Sequence, residues 1–253
     1  MNNKLILPIS IVLAGVIIAG AIIFMGDRGP AKATIKDAFG QQAVTKDDHI
    51  RGNPNAPIVM VEYSDLECPY CKNFHTTMHT LMDTYGKSGD MAWVYRHFPL
   101  SFHTKAQKEA EATECIAEQL GEDKFWDYVD QIYAITPSNN KLEASELPRL
   151  ATAVGADLEK FNECLVSGQT APKVAADITI GREALGPQGG TPHTLILLKK
   201  PVTANDLLTN LGAQASLIQY IEIETSGLII HVNGALPLEM MKALVDAILI
   251  EVK

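Results

Sequence analysis

The sequence predicts an α/β fold in which a small sheet is split along the chain by an inserted all-helical domain, with an apolar helix ahead of both. Three observations carry this. An apolar run, Ile58-Val59-Met60-Val61-Glu62-Tyr63, leads into a helical pattern. A stretch rich in Ala, Glu, Lys and Gln, all good helix formers, then fills about residues 103–186. Two more strand-like runs and a helix with apolar residues at helical spacing close the chain.

The elements follow in order. Leu5 to Met25 is a run of 21 residues without a charged side chain, long enough to cross a bilayer as a helix. A cleaved signal has a shorter apolar core and an A-x-A-like site. Ala19-Gly20-Ala21 is the one candidate for such a site, so residues 1–26 read as a membrane anchor or signal segment, with the uncleaved anchor favoured. The short N-terminal flank puts the remainder outside the cytoplasmic membrane, although Arg28, Lys32 and Lys36 oppose the positive-inside tendency. Residues 27–50, polar and mixed in charge, read as a tether.

Residues 51–253 read as the folded domain. Arg51 to Pro57 is a turn-rich entry. A strand over 58–63 precedes a helix from Pro69 to Tyr85, where proline is tolerated at the first turn because its missing N–H would be unpaired anyway. Gly86 and Gly89 end that helix. Met91 to Phe98 is a second strand, closed by Pro99. Helices follow over Thr104–Leu120, Asp123–Ile135, Ser145–Val154, Asp157–Ser167, with Asp157 as N-cap, and Ala171–Leu185. Gly186 to Pro192 breaks the last of these. Leu195–Leu198 and Leu228–Val232 are strands, and Leu238–Ile250 is the final helix. Between those strands, Ala204–Leu211 reads as a short helix and Leu217–Ile223 as an extra strand. The order of strand, helix, strand, helical block, strand, strand and helix is that of a thioredoxin fold with an inserted all-helical domain.

The chain has 253 residues, 47% of them hydrophobic, and a net charge of −9. That suffices for one large domain plus a tail. It excludes the clustered basic surface that phosphate binding needs, so no nucleic-acid partner is expected.

The chemistry centres on Cys68-Pro69-Tyr70-Cys71. Two thiols at this spacing can close a small disulfide. At a helix start the first sulfur feels unpaired N–H groups and the positive end of the helix dipole, which favours thiolate. Cys68 is expected to be exposed and nucleophilic, and Cys71, one turn further in, to be buried. A substrate thiolate attacks oxidised Cys68, and a second substrate thiol resolves the mixed disulfide; in reverse, Cys68 attacks and Cys71 resolves. Cys115 and Cys164 complete an even count, which suits an oxidising compartment. Of three possible pairings, Cys68–Cys71 with Cys115–Cys164 is favoured. A structural zinc site is disfavoured because no second C-x-x-C is present. Cys68, Cys71 and His75 nevertheless form a conceivable partial metal site, so a membrane-tethered metal carrier stays open as an alternative. No cofactor is called for.

Glu62 through Lys72 resembles the active-site segment of DsbA-like thiol–disulfide oxidoreductases. Arg96-His97-Phe98-Pro99-Leu100 resembles their second strand and its exit, Gly190-Thr191-Pro192 their cis-proline loop, and Val232 to Pro237 the stretch before their last helix. The resemblance covers roughly residues 48–253. It implies that Pro192 is a cis-proline facing the disulfide and that Thr191 presents backbone to a bound substrate strand. It implies that Glu62 is a buried acid able to take the proton of Cys71, and that Pro69 and Tyr70 tune the pair. Some relatives of this kind carry a second disulfide inside the helical block, which Cys115 and Cys164 match; two separate buried thiols are the alternative. His193, next to the proline, is a candidate substrate contact or a surface residue, and His97 and His103 read as structural or exposed. The implied partners are cysteine-containing exported proteins and a membrane re-oxidising protein. The direction stays open, since a reductase or isomerase would share the motif. The chain departs from the family in the long segment 199–227, where a tight turn is usual.

Overall fold

The computed structural model describes residues 39–187 and 189–253. The anchor expected over 5–25 and the first part of the tether lie outside them. Among the described residues, no helix is long and apolar enough to cross a membrane.

The strands are β1 (His49–Gly52), β2 (Ile58–Ser64), β3 (Met91–His97), β4 (His193–Leu198), β5 (Ile221–Ile223) and β6 (Ile229–Asn233). The helices are α1 (Pro69–Leu81), α2 (Ala106–Leu120), α3 (Glu122–Ile135), α4 (Glu146–Ala153), α5 (Leu158–Ser167), α6 (Ala171–Leu185), α7 (Ala204–Leu211) and α8 (Leu238–Val252). The six strands form one sheet in the order β1-β3-β2-β4-β6-β5. Only β2 and β3 run parallel; every other neighbouring pair is antiparallel. Every residue of β2, β3 and β4 is buried, as expected of strands covered on both faces.

Alternation along β2 sorts its side chains. Ile58 and Met60 face a core shared with α1, α8 and the helical insertion, while Val59, Val61 and Tyr63 face a second core. That second face is covered by α6, through Ile178 and Ala184, and by Phe39. The last helix of the insertion thus packs across the sheet from α1. It approaches closely because Gly181 has no side chain: a Cβ there would lie 2.6 Å from the Phe98 ring and 3.0 Å from that of Tyr63.

Most expected boundaries hold within two residues. Asp157 caps α5 by accepting hydrogen bonds from the Glu159 and Lys160 amides. The helix expected to reach Tyr85 ends as α-helix at Leu81 and continues as a π turn to Gly86.

Two expectations need correction. The tether was drawn to residue 50, yet its described part is built into the domain. Residues 49–52 pair with β3. Buried Arg96 donates from Nε to Asp48 at 2.7 Å and from Nη2 to the Ala43 carbonyl at 3.1 Å, and Tyr63 donates to Gln42 at 2.6 Å. A buried guanidinium needs a carboxylate, and this polar segment supplies it. The second concerns Leu217–Ile223. Residues 212–220 form a 3-10 turn that sets Leu217 into the core, and only Ile221–Ile223 is strand, pairing with β6 at the sheet edge. The long 199–227 segment therefore adds α7, which bonds through Asn210 to the Ala247 carbonyl of α8, and one short edge strand.

Candidate active site

β2 ends at Ser64 and α1 begins at Pro69, so the four residues between them carry the chain over the C-terminal edge of the sheet. Asp65 fixes this turn. Its carboxylate accepts from the amides of Glu67 at 2.8 Å and Leu100 at 2.7 Å and pairs with His103 Nδ1 at 2.8 Å. Cys68 is the N-cap of α1 in an extended conformation, with Pro69 at the first helical position.

Cys68 and Cys71 are both free thiols here, so the structure is that of the reduced protein rather than of the expected Cys68–Cys71 disulfide. Cys68 is 3% exposed, which corrects the expectation of an open sulfur. Neighbouring structure covers it: its thiol donates to the Thr191 carbonyl at 3.4 Å. Tyr70, by contrast, is 65% exposed and forms the rim. A hydrogen bond from the Cys71 thiol is the largest influence on Cys68. With the backbone N–H groups of Cys71 and Tyr70 and the Thr191 side chain, it outweighs burial and lowers the Cys68 pKa to about 6. Burial drives the Cys71 thiol the other way, well above its ordinary value, and the Cys68 charge adds to this. One sulfur is thus ionised at neutral pH and its partner is protonated.

The Thr191–Pro192 bond is cis, as the resemblance implied, and the Thr191 carbonyl faces Cys68. Glu62 is fully buried. Its carboxylate accepts from Ser64 Oγ at 2.7 Å and Trp93 Nε1 at 2.9 Å. Burial still raises its pKa to about 7, against those two hydrogen bonds. Ser64 Oγ lies 2.9 Å from the Tyr133 hydroxyl, which is 3.2 Å from that of Tyr95.

The metal alternative does not survive in its expected form. Among the described residues, the side chains placed to share an ion are His75, His79 and Asp130, and neither cysteine belongs to that group. His75 turns towards α3, with its Nε2 2.7 Å from Asp130 Oδ1, as His79 Nε2 is at 2.8 Å. Arg51 already supplies the cation. Its Nη1 lies 2.9 Å from His79 Nδ1, its Nη2 lies 3.6 Å from Asp130, and its guanidinium sits 4.6 Å over Trp126. A metal ion here would meet that guanidinium.

Cys115 and Cys164 form a disulfide linking α2 to α5, with Cα atoms 5.9 Å apart. His97 and His103 are buried and paired, His97 with Thr113 at 3.0 Å. His193 is buried beside His231 at 3.2 Å rather than on the surface.

Sequence reasoning missed Ser64, Trp93 and Tyr133. Strand alternation carried a signal for Ser64, two residues from Glu62 and therefore on its face of the sheet. Tyr133 gave none, because its contact spans 69 positions of the chain.

Comparison with known proteins agrees with this geometry. Residues 44–208 match the family described as thioredoxin. The sodium/proton antiporter NhaA 3 of Salinispora tropica is 36% identical over 146 residues, covering 57% of this chain but only 21% of the antiporter. The structure of Wolbachia pipientis α-DsbA1 superposes with a TM-score of 0.62 at 21% identity, covering 83% of this chain and 94% of that one. The thiol–disulfide exchange protein α-DsbA2 from the same organism gives 0.59 at 15% identity, covering 84% and 92%. At such identities the likeness is one of fold.

Proposed function

The chain belongs to the thioredoxin family, and from that premise we propose that it is an extracytoplasmic thiol–disulfide oxidoreductase acting on cysteine pairs of exported proteins through Cys68 and Cys71. The carrying observation is the asymmetry of the two sulfurs. Cys68 is held down at about 6 while Cys71 is pushed well up, with the Thr191 carbonyl against Cys68. Thiolate is the form that attacks a disulfide, and the thiol with the lower pKa is the better leaving group. Cys68 is therefore the sulfur that enters the mixed disulfide, and Cys71 the one that releases it.

The proposed direction is oxidation. A stabilised Cys68 thiolate stabilises the reduced form and makes the oxidised form a stronger oxidant. The apolar run over 5–25 and the Cys115–Cys164 disulfide support a membrane-tethered place outside the cytoplasm. A membrane protein would then re-oxidise the pair. Because the antiporter match spans about a fifth of that protein, the proposal takes nothing from its transport activity.

The reduction potential of the pair tests direction. A value nearer about −120 mV than about −270 mV is expected; one near −270 mV would assign a reductase instead. Cys68→Ser should abolish dithiol exchange, and retained turnover would remove Cys68 from its role.

A further inference from the structure

We propose that Ser64 carries the proton between the Cys71 thiol and the Glu62 carboxylate, so that these three side chains act as one relay. The inference rests on the dithiol reading above and adds a third reacting group to it.

The geometry is that of a branched hydrogen-bond chain. Ser64 Oγ is 2.7 Å from Glu62 Oε1 and 2.9 Å from the Tyr133 hydroxyl. The same hydroxyl hydrogen-bonds to Cys71. A serine oxygen has one proton to give and two lone pairs that accept. Here its proton goes to Glu62, one lone pair takes the Tyr133 O–H, and the other faces the Cys71 S–H. The Asp65 amide, 3.5 Å from the Cys71 sulfur, is placed to receive the thiolate charge.

Water has little access. Glu62 and Cys71 are 0% exposed and Ser64 is 1% exposed. A proton leaving Cys71 therefore needs a protein acceptor, and Glu62 is held near neutrality by its burial. In the step that resolves a mixed disulfide, Cys71 passes its proton to Ser64 Oγ while the serine proton passes to Glu62 Oε1. The Cys71 thiolate attacks Cys68 Sγ, the Cys68–Cys71 bond forms, and the partner sulfur leaves as thiolate. Ser64 ends unchanged and Glu62 ends protonated. In the oxidising direction the same route runs backwards: Cys71 leaves the disulfide as thiolate and is reprotonated from Glu62 through Ser64.

The test is stopped-flow reaction of the full reduced chain with the aromatic disulfide DTNB, which reports two releases of coloured thiolate. The first follows Cys68 attack and the second follows Cys71 resolution. With Ser64→Ala the second phase should slow at least ~10-fold at pH 7, the low end for a positioned acid–base group. Its rate should then climb steadily with pH instead of levelling once Glu62 is ionised. Ser64→Thr, which restores the hydroxyl, should recover the parent profile. A Ser64→Ala second phase with the parent's rate and pH profile would overturn the relay. So would slowing of both variants alike, since a hydroxyl would then not matter. If the parent itself showed no biphasic release, the dithiol reading would fall with it.

Discussion

Glu62 is a buried acid whose ionisation the fold opposes, and this makes its effect on stability calculable. In the folded protein its pKa is about 7, against 4.5 for an ordinary glutamate. An acid raised in this way holds a proton in the folded chain that the unfolded chain has already released. Stability therefore falls as pH rises from about 4.5 to about 7, and the loss is complete above the folded pKa. At 1.36 kcal/mol per pH unit the loss is about 3 kcal/mol, undiscounted because the side chain has no solvent exposure. Glu62→Gln removes the charge and keeps the shape. Some fixed cost is expected, since the amide nitrogen cannot accept from both Ser64 and Trp93, which now donate to the two carboxylate oxygens. The diagnostic quantity is how the difference between variant and parent changes with pH. Urea unfolding of the reduced protein at pH 4.5 and pH 8.5 should move that difference by about 3 kcal/mol in favour of Gln. A difference that stayed constant across the range would refute the argument, because Glu62 would then titrate alike in both states.

Two further perturbations test the packing and charge that hold the site. Gly181→Ala would drive a methyl into the Phe98 and Tyr63 rings, and should cost about 1–3 kcal/mol as an overpacked core does; urea unfolding equal to the parent's would place α6 further from the sheet than described. His49 loses by burial but gains more from Glu114 at 3.0 Å and Glu122 at 2.8 Å, which raise its pKa to about 9. That stabilisation is fully present below about pH 6.5 and is lost as pH rises through about 9. His49→Gln should therefore be less stable than the parent at pH 6 and close part of the gap by pH 10, read from the same unfolding curves; His97, 3.2 Å from Glu114, keeps that carboxylate partly paired in the variant.

The parts of this fold that were legible in the sequence are those whose cause is local. The C-x-x-C spacing, proline at the first turn of α1, Asp157 two and three positions before the amides it caps, and the apolar alternation of β2 each lie within a few residues. The parts that were not legible depend on distant partners. β1 has only four residues, with His49 and Arg51 among them, and the groups that satisfy them, Glu114, Glu122, His79 and Asp130, come from helices far along the chain. Cys68 was expected to be open because a helix start is normally solvated; what covers it is Thr191, 123 positions away. His75 was grouped with the cysteines because it sits one helical turn beyond Cys71, but a helix face says nothing of which neighbour it meets, and here it meets Asp130 of α3.

One segment of the insertion, residues 133–142, bonds to the dithiol turn from three sides. Tyr133 reaches Ser64 at its base. Lys72, just past Cys71, donates to the Thr136 carbonyl at 2.6 Å. Glu67, just before Cys68, accepts from the Asn139 amide at 2.8 Å through its carbonyl and from the Asn140 and Leu142 amides through its carboxylate. To present those amides in succession the chain turns left-handed at Ser138, Asn139 and Asn140, with φ of 63°, 56° and 63°. Asparagine tolerates that region better than most residues and serine less well, so the conformation is held by the contacts it makes. The helical insertion is thus a wall of the redox site as well as a cover over the sheet. The hydroxyl that orders Ser64 and the amides that fix Glu67 both come from it, and a thioredoxin core stripped of residues 133–142 would keep its two cysteines while losing the surroundings that separate their acidities.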